Sequence, residues 1–309
     1  MWSRIFRFWP RLICHSIVVV NRIIPGGDSH ESKTTSHDRD VHNLLDQSNP
    51  HLYFTKEEEL VGEQKLRELG IPKGEKFICL TVRDSAFLED LSYHSYRDGD
   101  IQRYVLASEE LANLGYYVIR MGAVVKERIN SQHSKVIDYA TNGSRSEFMD
   151  MYLGAKCYFC ISTSTGFDAI PTIFRRPMVF ITVPVGYIYT FSTKFLSITK
   201  HHISKIDGHK LSLSEIFDNN VGLSMSSSEY EKNSVELVEN TPEEIRDVVL
   251  EMESRIQGTW NDTDEKDDMQ RQFRDLFIHH MNKHGEKIHG KFNSYIGAKF
   301  LDNNKMYMK

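Results

Sequence analysis

The sequence predicts an α/β fold, a Rossmann-like parallel sheet with helices on both faces, and three observations carry that expectation. Short apolar runs alternate with segments of helical period from Phe77 to Val183. Each run is apolar at consecutive positions, the pattern of strands covered on both faces. The intervening segments have the length of crossover helices, which parallel strands require.

The elements follow in order. Thr55 opens a helix over 55–69, with Glu58 at the capping-box position and Gly70 as its stop. Pro72-Lys73-Gly74 turns the chain into the strand Phe77–Val82. A helix over Ile101–Leu114 keeps Ile101, Tyr104, Val105, Leu111 and Leu114 on one side, and Gly115 ends it. Tyr117–Arg120 and Val136–Asp138 read as strands, Ser146–Leu153 as a helix, Tyr158–Ile161 as a strand, Phe167–Phe174 as a helix and Met178–Val183 as a strand. Beyond Pro184 the alternation loosens, with a short helix around Leu211–Phe217. Thr241-Pro242-Glu243-Glu244 then starts a helix reaching Gln257: a cap, a proline in the first turn, and acids at the positive end of the dipole. Asp264–Asp268 reads as an acidic solvated stretch and Met269–His284 as the last helix. There is no internal repeat.

Composition bounds the function. Of 309 residues, 40% are hydrophobic and 26% charged, ordinary for a soluble globular chain. A net charge of −5 argues against a general nucleic-acid binder. Four cysteines do not make a disulfide framework. Cys157-x-x-Cys160 admits a redox or zinc reading, but it has no second pair and sits in a strand, so buried apolar cysteines are preferred. His280 and His284 share a helical face without an HExxH motif, which favours a solvated helix over a metal site. No metal site and no cofactor are expected.

Two domains are expected: residues 1–49 as a basic, aromatic segment and linker, and 50–309 as the Rossmann-like body. Residues 1–27 carry Arg4, Arg7, Arg11 and Arg22 and no acid, among Trp2, Phe6, Phe8 and Trp9. The apolar run Ile17–Val20 is too short to span a bilayer and lacks a small-residue cleavage site. Two readings stay open: an interfacial helix giving peripheral membrane contact through residues 1–24, or a truncated first domain packing on the body.

Ligands of open parallel sheets bind at the carboxyl ends of the strands. Those ends deliver Arg83 and Asp84, Arg120 and Gly122, Asp138 and Tyr139, Ser162 to Gly166, and Pro184 and Gly186. At the turn Ser162-Thr163-Ser164-Thr165-Gly166 a strand hands over to a helix whose first N–H groups lack internal partners. The dipole and the small side chains suit an anion, most naturally a phosphate; helix capping alone explains the same residues. Arg83 offers a planar bidentate cation, with Asp84 to orient it. In Tyr93–Asp98, Tyr93 or Tyr96 would stack on a base or sugar, His94 would exchange protons, and Arg97 would bind phosphate or pair with Asp98 or Asp100. Asp168, in the first turn, would cap or reach sugar hydroxyls. G-x-x-x-x-G-K-[ST], G-x-G-x-x-G and G-x-S-x-G are all absent, which disfavours P-loop hydrolases, dehydrogenases and α/β-hydrolases. No D-x-D pair falls at a strand end.

The segments FICLTVRDSAFL, HSYRDGDIQRY, LGYYVIRMG, CISTSTGFDAIPTIFRRPMVF and ENTPEEI together resemble a family of bacterial glycosyltransferases found with surface-polysaccharide genes, over about Pro50 to Leu301. The resemblance implies the donor-binding, C-terminal domain of a GT-B glycosyltransferase. It implies that Arg83 binds the donor diphosphate, that Ser164, Thr165 and Gly166 form the phosphate turn at the helix start, and that His94, Tyr96 and Arg97 line the cleft. Asp84 and Asp168 are further candidates for lining the cleft, and His94 is the candidate catalytic group. It further implies metal-independent sugar transfer from a nucleotide-diphosphate donor to a glycan or lipid-linked glycan acceptor, in the cytoplasm, at the inner face of the cytoplasmic membrane. One departure stands out. Only about 70 residues precede the first strand, without a βα repeat, where a GT-B enzyme has a whole acceptor domain. Small insertions or a partner protein would supply it, or the chain is a fragment. A non-catalytic nucleotide-sugar-binding half-enzyme and a sugar-nucleotide epimerase remain alternatives.

Overall fold

The computed structural model describes residues 25, 40, 43–86, 89–182, 184–285 and 291–308. The site lies in a compact body that begins at Asp40. The expectations placed on residues 1–24, membrane contact among them, fall outside the described residues. Among the described residues, no helix is long and apolar enough to cross a membrane.

Seven strands form one parallel sheet: β1 (Phe77–Thr81), β2 (Tyr117–Met121), β3 (Val136–Ile137), β4 (Cys160–Ser162), β5 (Met178–Thr182), β6 (Phe195–Thr199) and, later in the chain, β9 (Tyr295–Ile296). A separate antiparallel pair joins β7 (His201–Ser204) to β8 (Val235–Val238). The order across the sheet is β3-β2-β1-β4-β5-β6-β9. The chain therefore winds outward from β1 to β3, returns, and winds the other way from β4. The reversal lies between β1 and β4, where Cys79 pairs with Cys160 and Thr81 with Ser162. At such a switch point the loops leaving two adjacent strands diverge to opposite faces and open a crevice.

The helices are α1 (Leu44–Gln47), α2 (Lys56–Glu68), α3 (Val105–Asn113), α4 (Glu147–Lys156), α5 (Ala169–Ile173), α6 (Leu213–Asp218), α7 (Ser227–Lys232), α8 (Pro242–Gln257), α9 (Asp264–Lys283) and α10 (Ala298–Asn303). The period-two alternation of a strand sends Phe77 and Cys79 to one face of the sheet and Ile78 and Leu80 to the other. The first pair packs with Met149, Tyr152 and Leu153 of α4, the second with Leu111 of α3, Val248 and Val249 of α8 and Phe273 and Phe277 of α9. Both faces are covered, so every residue of β1 is buried. Truncating a fully buried Leu80 to alanine would cost about 2–5 kcal/mol.

The coarse expectation of a parallel α/β sheet flanked by helices holds, and two details are corrected. Past Pro184 the sheet continues through β6 and β9; Ser197 and Thr199 break the apolar run of β6, yet both are buried. Asp264–Asp268 is acidic and largely exposed as expected, but it forms the first turn of α9, so the last helix starts at Asp264 and not at Met269. Thr263 caps it by accepting the Lys266 N–H, and acids there meet the positive end of the helix dipole. Cys79, Cys157 and Cys160 are buried free thiols with their pKa values pushed up, by burial foremost, for Cys79 and Cys160.

Candidate functional site

A cavity of about 500 Å³ opens at the carboxyl ends of β1, β2 and β4. Val82, Arg83 and Asp84 reach it from β1, residues 121–125 from β2, and Thr165, Gly166 and Phe167 from β4, while Arg97 and Asp150 close the sides. Its wall is divided. Met121, Val124, Val125 and Phe167 give an apolar surface, and two guanidinium groups and two carboxylates give a polar one.

Arg83 follows the last residues of β1 and is fixed through its backbone: its N–H donates to Thr163 Oγ1 at 2.8 Å, and its carbonyl accepts from Gly99 N at 2.9 Å. Its Nε donates to Asp98 Oδ1 at 3.2 Å. The two Nη atoms have no partner among the described residues, which leaves the forked end of the guanidinium on the cavity side. Asp98 is shifted upward by burial, with Arg83 opposing, so this single contact does not fully offset the cost of desolvating the carboxylate. Asp84 lines the cavity but does not orient Arg83. Its oxygens accept from Ala86 N at 2.9 Å and Lys126 N at 2.8 Å, which ties the loop after β2 to the end of β1.

Arg97 donates through Nη2 to the Ser164 carbonyl, which carries the loop of β1 onto the turn after β4. Asp98-Gly99-Asp100 spells D-x-D in that loop, but Asp98 faces Arg83 and Asp100 caps a 3₁₀ turn by accepting the Gln102 N–H at 2.8 Å. Among the described residues no group of three or more His, Cys, Asp or Glu is arranged to hold a metal ion.

The turn after β4 is built around Asp168. Ser162 Oγ donates to Asp168 Oδ1 at 2.5 Å, Thr165 N donates to Oδ2 at 2.8 Å, and Ser164 N donates to Ser162 Oγ at 3.0 Å. Asp168 is 5% exposed, and burial pushes its carboxyl up to about 6 against these hydrogen bonds and the Arg97 charge. Two expectations are thereby corrected. Asp168 is a buried cap and does not line the cleft. Ser164, at φ 66°, has its N–H taken by Ser162 and its carbonyl by Arg97, so it presents no free amide to an anion. What faces the cavity is Thr165, Gly166 and Phe167, where helix geometry leaves the Gly166 and Phe167 N–H groups without intrahelical acceptors. A Cβ built on Gly166 meets nothing within 4 Å, so the backbone there is open to a ligand.

Two aromatic expectations also change. Tyr96 is buried in the core against Tyr230, 5.6 Å between centroids, and does not line the cavity. His94 is outside the cavity wall too; its ring lies 4.0 Å from Tyr93 and 5.9 Å from Tyr96. Burial, then the charges of Arg83 and Arg97, lower its pKa, which keeps the ring neutral.

One charged residue of the cavity wall, Asp150, was not anticipated. Asp150 comes from the first turn of α4 and pairs with Arg145, just before the helix, at 2.6 Å; nothing local marks it as cavity-facing. Gly122 bends the loop of β2 at φ 154°, and a Cβ there would lie 2.5 Å from Val125 Cγ1. Beneath it Arg120 is 0% exposed, 3.8 Å from Asp84 and 3.9 Å from Asp138, with its pKa lowered by burial against both charges. Arg120 and Asp138 thus support the floor and do not bind from it. Tyr139 is fully buried, and Pro184 and Gly186 lie outside the cavity wall.

No protein-family model, no curated protein and no solved structure matches this chain.

Proposed function

We propose that the cavity binds the diphosphate of a nucleotide sugar, and that the chain is the donor-binding body of a GT-B-type glycosyltransferase acting in surface-polysaccharide synthesis. One observation carries the reading: the fork of Arg83, which has no partner among the described residues, the Arg97 guanidinium and the open backbone at Gly166 border a single cavity at the sheet's switch point. Two guanidinium groups and helix-start amides suit a diphosphate, and the apolar wall of Met121, Val124, Val125 and Phe167 suits the flat face of a base. In the reaction the bond from the anomeric carbon to the diphosphate oxygen breaks, the nucleoside diphosphate leaves, and an acceptor hydroxyl forms the new bond and gives up its proton to water. Arg83 and Arg97 neutralise the charge that collects on the departing diphosphate. A glycan or lipid-linked glycan is the acceptor, held in part by a partner protein, at the inner face of the cytoplasmic membrane.

The position of His94 favours a second reading. With that ring outside the cavity wall, the cavity lacks the base expected of it, as a non-catalytic nucleotide-sugar-binding half-enzyme would. Calorimetry with a panel of nucleotide sugars, followed by product analysis with and without a glycan extract, decides. Binding with transfer supports the enzyme. Binding without turnover supports the half-enzyme, and a new sugar nucleotide without acceptor supports an epimerase. Absence of binding by every sugar nucleotide contradicts all three.

A further inference from the structure

The loop 96–100 carries Arg97 and also the carboxylate behind Arg83, so whatever fixes this loop aims both cations of the cavity. Its rim is tied to neighbouring segments: Gly99 N donates to the Arg83 carbonyl at 2.9 Å, and Asp100 N to Glu239 Oε2 at 3.0 Å. From beneath, it is held by Lys200, the residue after β6, which is 7% exposed. Lys200 Nζ donates to the Asp98 carbonyl and lies 3.5 Å from the Tyr96 carbonyl. These two carbonyls bracket Arg97 and Asp98 in the chain. No carboxylate lies within ion-pair distance of Lys200 among the described residues; Glu239 and Asp98 act on it only at longer range. Burying an ammonium without a paired anion is costly, and an apolar side chain of equal length would serve packing as well. What the ammonium adds is directed bonding to the two carbonyls.

We propose that Lys200 is a positioning residue: by holding the carbonyls of Tyr96 and Asp98 it aims the Arg97 guanidinium and, through the Asp98 carboxylate, the Arg83 fork at one oxyanion. This rests on the reading of the cavity as a diphosphate site. The chain of contacts runs Lys200 Nζ to Asp98 O, Asp98 Oδ1 to Arg83 Nε, and Arg97 Nη2 to Ser164 O. It joins the loops leaving β1 and β4, which are neighbours in the sheet, to the end of β6, which lies two strands beyond β4.

The test uses the full chain labelled with ¹⁵N-arginine and ¹⁵N-lysine. The Arg83 Nε–H resonance, identified by its loss in Arg83→Lys, is expected to exchange slowly in the wild type because Asp98 accepts it. In Lys200→Met that protection is expected to disappear, and the affinity for inorganic pyrophosphate to fall about tenfold, with the unfolded fraction unchanged at room temperature. A Lys200→Met protein that keeps both the protected resonance and wild-type affinity overturns the proposal. If the wild type binds no pyrophosphate, the diphosphate reading fails, and the Arg83 resonance still decides the role of Lys200. Should Lys200→Met not fold, the Nζ resonance of wild-type Lys200 decides: a slowly exchanging ammonium supports the proposal, and a solvent-exchanging one overturns it.

Discussion

Replacing Arg83 by alanine separates the anion site from the fold. Among the described residues this side chain makes one hydrogen bond, to Asp98, and the two partners are 19% and 25% exposed. An ion pair so accessible contributes under about 1 kcal/mol to stability. In a chain of this size that corresponds to about 2 °C or less in the unfolding midpoint. The ligand loses far more. The free fork offers two charge-assisted bonds to a phosphate, each worth about 1.5–3 kcal/mol. With non-additivity the loss is about 2–4 kcal/mol, which weakens binding about thirtyfold to several hundredfold. Calorimetry with a nucleoside diphosphate measures the first quantity and a thermal scan the second. Arg83→Lys keeps the charge but not the fork and is expected to fall between alanine and wild type. Arg83→Ala binding within threefold of wild type refutes the assignment. A midpoint lowered by more than about 10 °C would show that the residue serves the fold instead.

Three further outcomes are expected. Gly166→Ala leaves the unfolding midpoint unchanged, because its methyl meets nothing within 4 Å, but weakens nucleoside diphosphate binding about tenfold by occupying the backbone approach; equal affinity would contradict the open turn. Gly122→Ala destabilises by about 1–3 kcal/mol in chemical denaturation, since φ is 154° and Val125 Cγ1 stands 2.5 Å from the new carbon. Asp168 gives a pH signature. Its carboxyl is raised to about 6 in the fold, from 3.8, so the stability it contributes is fully present below about pH 4 and is lost as pH rises through 6. The difference in stability between wild type and Asp168→Asn therefore moves by about 3 kcal/mol against the wild type from pH 3 to pH 7; parallel pH profiles would contradict a raised carboxyl.

Legibility in the sequence followed burial. Strands β1, β2, β4 and β5 are covered on both faces, so their apolar runs stand out without a partner in view. β6 was hidden because Ser197 and Thr199 interrupt its run, and β9 because two residues carry no period. The helix starts at Thr55 and Thr241 were plain because capping is local chemistry, and both caps form. The site was legible where strand ends alone place residues, as with Arg83, Thr165 and Gly166 beside one cavity. It was not legible where tertiary contact decides. Asp84 is adjacent to Arg83 in sequence, yet Asp98, on the far side of a loop, takes the guanidinium. Lys200 is a hundred residues from the loop it holds. Tyr96 and His94 looked like ligand contacts because aromatic and imidazole groups crowd one short loop, but successive residues of a tight turn point in different directions, and Tyr96 turns inward to Tyr230.

The most direct measurement is a crystal structure with a nucleoside diphosphate bound. Oxygens of one diphosphate are expected within about 3 Å of an Arg83 Nη atom and of the Gly166 or Phe167 amide nitrogen, with the base against Phe167 or Val124. A diphosphate seated away from Arg83, or one that touches Arg83 while the turn at Gly166 stays out of reach, contradicts the shared site.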